Sequence, residues 1–266
     1  MRLFTPLVPD ATAPLARANP IAKLGAALLL MFVLFVSDDL LTPSILLAGL
    51  LATLPLTGLA PRVLIARTWP LLVVATSVGV LNALFAPEQA GALIQIGPAA
   101  AGAQNLLAGL ALGVRLLTIA GVGVVTLATI EPTDLADALV QQLGVSPRFA
   151  VGALAALRLL PILADEWQLI RLARRARGVD AGRSAFAAAG IFFGELLTLL
   201  VSAVRRATRL ALAMEARGLG SRPCRGIARP QRVGAGDLAL LVAAALLAAG
   251  AVGVGLAAGT YRFIFA

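Results

Sequence analysis

Apolar and polar positions along the chain fall into blocks. Four apolar runs come early, at about 21–36, 40–57, 69–86 and 106–128, and a fifth, about 238–258, comes last. Runs of roughly 16 to 22 residues suit an α-helix that crosses about 30 Å of hydrocarbon at 1.5 Å per residue. Strand-like alternation is absent, so the runs predict membrane helices and not a barrel. The opening "MRLFTPLVPDATAPLARANP" is polar and proline-rich, and no cleavable signal peptide is expected in it.

Between residues 129 and 237 the pattern changes. This stretch carries fifteen of the chain's 22 Lys and Arg and nine of its 13 Asp and Glu, yet it keeps apolar segments such as "FAVGALAALRLLPILA" and "GIFFGELLTLLVSAV". Such a mixture predicts long amphipathic helices lying at or just under a membrane face. A short helix is announced by "EPTDLADAL", with Thr133 or Asp134 as its cap and Gly144 just past its end. A second is expected from Ser146 as cap and Pro147 as first residue to Arg177, kinked at Pro161, which removes one backbone bond. A third is expected from Arg183 or Ser184 to Arg217. The chain thus divides into a membrane region 1–128 with four spans, a helical region 129–236, and a last span in 237–266.

Charge orients the spans. Arg2, Arg17 and Lys23 precede the first run and Arg62 and Arg67 lie between the second and third, whereas "SDD" at 37–39 and the connection 86–105 carry no Lys or Arg. Basic connections favour the cytoplasm, which places the N-terminus inside and the basic helical region on the cytoplasmic side. The fold class is therefore an all-α integral membrane protein with about five transmembrane helices plus long amphipathic cytoplasmic helices. The mean hydropathy of +0.94 agrees. The net charge of +9 implies no nucleic acid, because the basic residues cluster beside spans, where topology already accounts for them.

The residue inventory removes most chemistry. There is no histidine, one cysteine (Cys224) and one lysine (Lys23). Histidine- or cysteine-based metal sites, Cys–His nucleophiles and Ser–His–Asp triads are unavailable, and no phosphate-binding Gly-x4-Gly-Lys-Ser/Thr loop is present. The reading is of a non-enzyme without cofactor or metal, and any nucleotide hydrolysis must come from another chain. Cys224 reads as an ordinary cytosolic thiol. Arg115 stands inside the fourth run, where an ionisable residue is a transport candidate; a partner-facing stretch and snorkelling to a boundary are the other readings. Asp165, Glu166 and Glu215 lie near basic clusters and are open to helix-face ion pairs.

Two helix ends share one tripeptide. "RARGVD" contains Ala176, Arg177 and Gly178, and "MEARGLG" contains Ala216, Arg217 and Gly218. Glycine suits the left-handed residue that closes a helix, and a cation suits the negative end of its dipole, so local structure alone accounts for each copy. Arg171, Arg174 and Arg175 lead into the first end and Arg205, Arg206 and Arg209 into the second. A positive surface facing anionic lipid is the other reading of these clusters.

These residues resemble the transmembrane T-component of energy-coupling factor (ECF) transporters, ABC-type importers of prokaryotes. The resemblance also takes in "ANPIAKL", "EPTDLADAL" and "LRLLPILADEW", in order along nearly the whole chain. It implies two cytoplasmic coupling helices whose Ala-Arg-Gly ends dock onto two cytosolic ABC-type ATPase subunits. It also implies a small substrate-binding membrane S-component as partner, a multi-pass location in the prokaryotic inner membrane, and uptake of a vitamin or metal ion chosen by the S-component. Arginine suits such docking because its planar fork makes two charge-assisted hydrogen bonds to one carboxylate. The apolar faces 149–160 and 191–204 are open both to the S-component and to packing against the chain's own spans. The rival is a stand-alone secondary transporter, which calls for repeated halves and midplane ionisable groups; the chain has one such arginine and no evident repeat.

Overall fold

The structure is a computed structural model that describes residues 13–58, 61–85, 92–96, 99–179, 184–219 and 229–261, with only the backbone described at 61–67, 92–96 and 99–104. Arg2, Ala86, Arg183 and Cys224 lie outside the described residues, as do the side chains of Arg62 and Arg67. In chain order the elements are α1 (Pro14–Arg17), α2 (Pro20–Val36), α3 (Leu41–Thr57), α4 (Pro61–Phe85), β1 (Ala92–Ile96), β2 (Ala99–Gly102) and α5 (Ala103–Thr129). Then come α6 (Pro132–Gln142), α7 (Pro147–Ala176), α8 (Ala185–Ala216) and α9 (Ala235–Ala257).

The fold is the expected all-α membrane type. One small antiparallel hairpin, β1 with β2, pairs Ile96 with Ala99 in a connection for which no element was predicted. Its strands hold five and four residues, too short to stand out against the 16- to 22-residue runs, although Ile94 and Ile96 favour extended backbone. Among the described residues, five helices are long and apolar enough to cross a membrane: α4, α5, α7, α8 and α9. The five differ from the five predicted runs. Helices α2 and α3 have 17 residues each and extend only about 25 Å. Helices α7 and α8 are among them because their apolar parts are nearly uncharged: Arg158 is the sole ionisable residue of 149–164 and Glu195 that of 185–204.

Contacts divide the described residues into two units, one within 136–230 and one within 13–135 and 231–261. In the second, α2, α3, α5 and α9 enclose a core of Leu34, Leu46 and Ala251, with Ile119 and Leu247 packed against it. Asp39 starts α3 by accepting from the Thr42 backbone N–H and hydroxyl at 2.9 and 2.8 Å. Arg115 is buried and its guanidinium lies 3.2 Å from Asp38, in the turn between α2 and α3.

Small residues bring α4 and α5 together. A Cβ built on Gly79 would lie 2.7 Å from the Gly109 carbonyl oxygen, and one on Gly113 would lie 3.3 Å from that of Ala75. Backbones this close leave no room for side chains, which is how membrane helices gain contact without a hydrophobic driving force.

The unit of residues 136–230 holds most of α6 and all of α7 and α8. Helix α6 begins at Pro132, earlier than the expected caps Thr133 and Asp134, which lie within its first turn. The proline's fixed φ preforms the first helical position, and Glu131 supplies the first carbonyl, bonded by Leu135 N–H. Gly144 has φ +67°, the left-handed conformation expected past the helix end. Ser146 and Ser184 cap α7 and α8 through hydrogen bonds from Phe149 and Ala187 N–H. Helix α7 runs without interruption past Pro161.

Candidate functional site

The two Ala-Arg-Gly ends have the same backbone. Arg177 closes α7 with φ −88° and ψ 7°, and Arg217 closes α8 with φ −86° and ψ 9°. Gly178 and Gly218 follow, each with φ +73°. At the first end Val179 N–H donates to Arg174 O and Gly178 N–H to Arg175 O; at the second Leu219 N–H donates to Met214 O and Gly218 N–H to Glu215 O. This is the Schellman closure, in which two residues past the helix satisfy carbonyls of its last turn. Ala176, Arg177 and Ala216, Arg217 are all exposed. Each end is thus a capped helix terminus that places an exposed cation beside a negative dipole end.

The supporting arginines separate into two sets. Arg174 leaves α7 for α8, donating to Ile191 O at 3.4 Å and to the Thr198 hydroxyl at 3.2 Å. It lies over Gly194, where a Cβ would stand 2.9 Å from its guanidinium. Arg171 approaches the buried Glu195 at 4.0 Å, and Arg206 reaches back to Glu166 at 3.1 Å. Glu166 also accepts a hydrogen bond from the Ser202 hydroxyl. These three arginines clasp α7 to α8. Arg175, Arg205 and Arg209 are exposed.

Pairing also sets the spacing of the ends. As α7 runs forward from Glu166 to Arg174, its partners on α8 run backward from Arg206 to Ile191, so the two helices cross in opposite senses. Arg177 lies one turn past the crossing, whereas Arg217 lies nineteen residues beyond Thr198 on α8. At 1.5 Å per residue the two cations are on the order of 30 Å apart.

Sequence reasoning missed the clasp partners Glu195, Thr198, Ser202 and Gly194. Glu195 carried a signal, as the one charge in a twenty-residue apolar stretch. The apolar faces of α7 and α8 remain open in the isolated chain: Phe149, Leu157, Phe193, Leu197, Leu200 and Val204 are all at least half exposed. No group of three or more His, Cys, Asp or Glu able to hold a metal ion occurs among the described residues.

Comparison with known proteins decides the family. The CbiQ family, described as a cobalt transport protein, matches residues 11–223. Two relatives are named as the energy-coupling factor transporter transmembrane protein EcfT. That of Heliobacterium modesticaldum is 31% identical over 87% of this chain and 89% of its own. That of Thermosediminibacter oceani is 29% identical over 89% and 91%. The chain belongs to the T-component family of ECF transporters. It is thus an energy-coupling transmembrane component, a multi-pass bacterial membrane protein. A further relative, from Bifidobacterium longum, is named as a putative ABC transporter ATP-binding protein; it is 27% identical over 76% of this chain, which matches 27% of its length.

Proposed function

We propose that this T-component docks two cytosolic ABC-type ATPase subunits through Arg177 and Arg217 and passes their motion to a small membrane S-component that binds a vitamin or a metal ion. The carrying observation is the pair of exposed, identically capped arginines, which the helix rise along α8 places on the order of 30 Å apart. One acidic groove does not span that distance, so two ends address two subunits. Each Ala-Arg-Gly supplies the parts of a plug: a guanidinium that pairs with a carboxylate in two bonds, and a glycine that turns the chain away without filling the groove. The Bifidobacterium relative, with its ABC transporter ATP-binding name, supports an ATPase as the partner class. The N-terminus is cytoplasmic in this reading, which the distribution of Lys and Arg supports. The uncovered apolar faces of α7 and α8 fit a membrane partner such as the S-component, and ATP hydrolysis belongs to the ATPases.

Co-purification of the wild-type chain from its own membranes tests the proposal. Recovery of two nucleotide-binding subunits and one small membrane protein is the expected result. A chain that purifies alone and transports a substrate in liposomes is a stand-alone carrier, and the proposal fails.

A further inference from the structure

The chain carries a second cluster of polar groups, remote in sequence from both arginine ends. Lys23 is 5% exposed, Asp237 7%, and Asn19 and Thr129 4% each. The Lys23 ammonium donates to the carbonyls of Ala16 and Thr129, both at 2.9 Å. Asp237 accepts the Asn19 N–H on one oxygen at 2.6 Å and the Gly234 N–H on the other at 2.8 Å. Asn19 in turn caps α2 by accepting the Ile21 N–H. The carboxylates of Asp134 and Asp237 both attract the Lys23 charge.

The position of this cluster in the chain gives it meaning. Thr129 is the last residue of α5, and Asp134 lies in the first turn of α6, where the chain sets out toward the unit of α7 and α8. Gly234 and Asp237 open α9, where the chain comes back. The unit boundaries fall at 135/136 and 230/231, so Thr129 stands seven residues before one unit change (129 to 136) and Asp237 seven after the other (230 to 237). One buried lysine therefore binds the root by which the chain departs and faces the aspartate that fixes the root by which it returns.

We infer that Lys23 and Asp237 are positioning residues that anchor both roots of the α7–α8 arm to the ends of α2, α5 and α9, so that a force applied at Arg177 and Arg217 moves the arm and does not slip its base. The inference rests on the proposed function. Its physical basis is that a buried ammonium and a buried carboxylate, each held by two hydrogen bonds, cannot be displaced without stranding charge in a poorly polar interior. A root held in this way stays fixed while the exposed surfaces around it move.

The test uses the co-purified complex in a Cys224→Ser background, with spin labels on cysteines replacing the exposed Thr208 of α8 and Leu246 of α9. The distance between them is read with and without ATP. In the otherwise native complex we expect a narrow distribution that shifts on ATP binding. Lys23→Met is expected to retain the ATPase subunits and to lose that shift, giving a broad distribution in both states. Asp237→Asn, which keeps the volume and one acceptor oxygen, is expected to behave in the same way. A native-like ATP-dependent shift in either variant, with only a lower yield, assigns the cluster to stability and overturns the inference. Failure of both variants to accumulate makes the cluster a folding core and overturns it also. Absence of any shift in the otherwise native complex contradicts the proposed function instead, which separates the two failures.

Discussion

At the scale of residues, the glycine after each arginine has a conformational task. A Cβ added at Gly178 meets nothing within 4 Å, so its φ of +73° is the whole obstacle to a side chain there. Gly178→Ala is expected to destabilise the α7 terminus by about 1–2 kcal/mol, the left-handed penalty of an L-residue. Gly152→Ala, in the helix interior with equal space, is expected to stabilise by about 1 kcal/mol. Thermal unfolding in detergent should move in opposite directions for the two; parallel shifts would show that the cap conformation does not matter. Arg177→Lys keeps the charge and loses the planar fork, so ATPase retention should fall without being abolished. The Ala-Arg-Gly ends were legible because a C-terminal glycine acts locally. The partner of Arg174 was not, because Thr198 and Ile191 reach it only through the register of α8 on α7.

At the scale of elements, two contacts hold helices together by different physics. The α4–α5 contact is one of shape: Gly109→Val would force the Gly79 backbone away, and protein with this change should lose thermal stability while Gly250→Val, with open space around it, should not. The α7–α8 contact combines ion pairs, with Glu195 buried and Arg206 and Glu166 partly exposed, and an edge-to-face pair of Trp167 with Phe192 at 5.5 Å. In a double-mutant cycle, Glu166→Gln and Arg206→Gln should couple by about 1 kcal/mol or less, and less still at high salt. Coupling that is absent at low salt would leave the clasp to Arg171, Arg174 and the Trp167–Phe192 pair. Helix identity was legible from run length, and the capping serines 146 and 184 from local chemistry. The start of α6 was misplaced because Pro132 outweighs Thr133 and Asp134 as a first-turn signal, and the β1–β2 hairpin escaped because it is too short to generate a run.

At the scale of the whole molecule, the chain builds one helical core from its first and last segments and interposes between them a pair of long helices with basic ends. The change of composition at residue 129 made that interruption visible in the sequence. The anchorage was not visible, because Lys23, Thr129 and Asp237 are brought together only by the packing of α2, α5 and α9. "ANPIAKL" and "EPTDLADAL" marked the family resemblance, and the structure gives Asn19, Lys23 and Asp134 a shared place.

The most direct measurement of the central claim is detergent pull-down of ATPase subunits by the Arg177→Glu, Arg217→Glu double variant. Charge reversal leaves both Schellman caps intact, so the protein should reach the membrane at its usual level and bring down no ATPase, with each single variant retaining part. Full ATPase retention by the double variant, with uptake unchanged, would contradict the account.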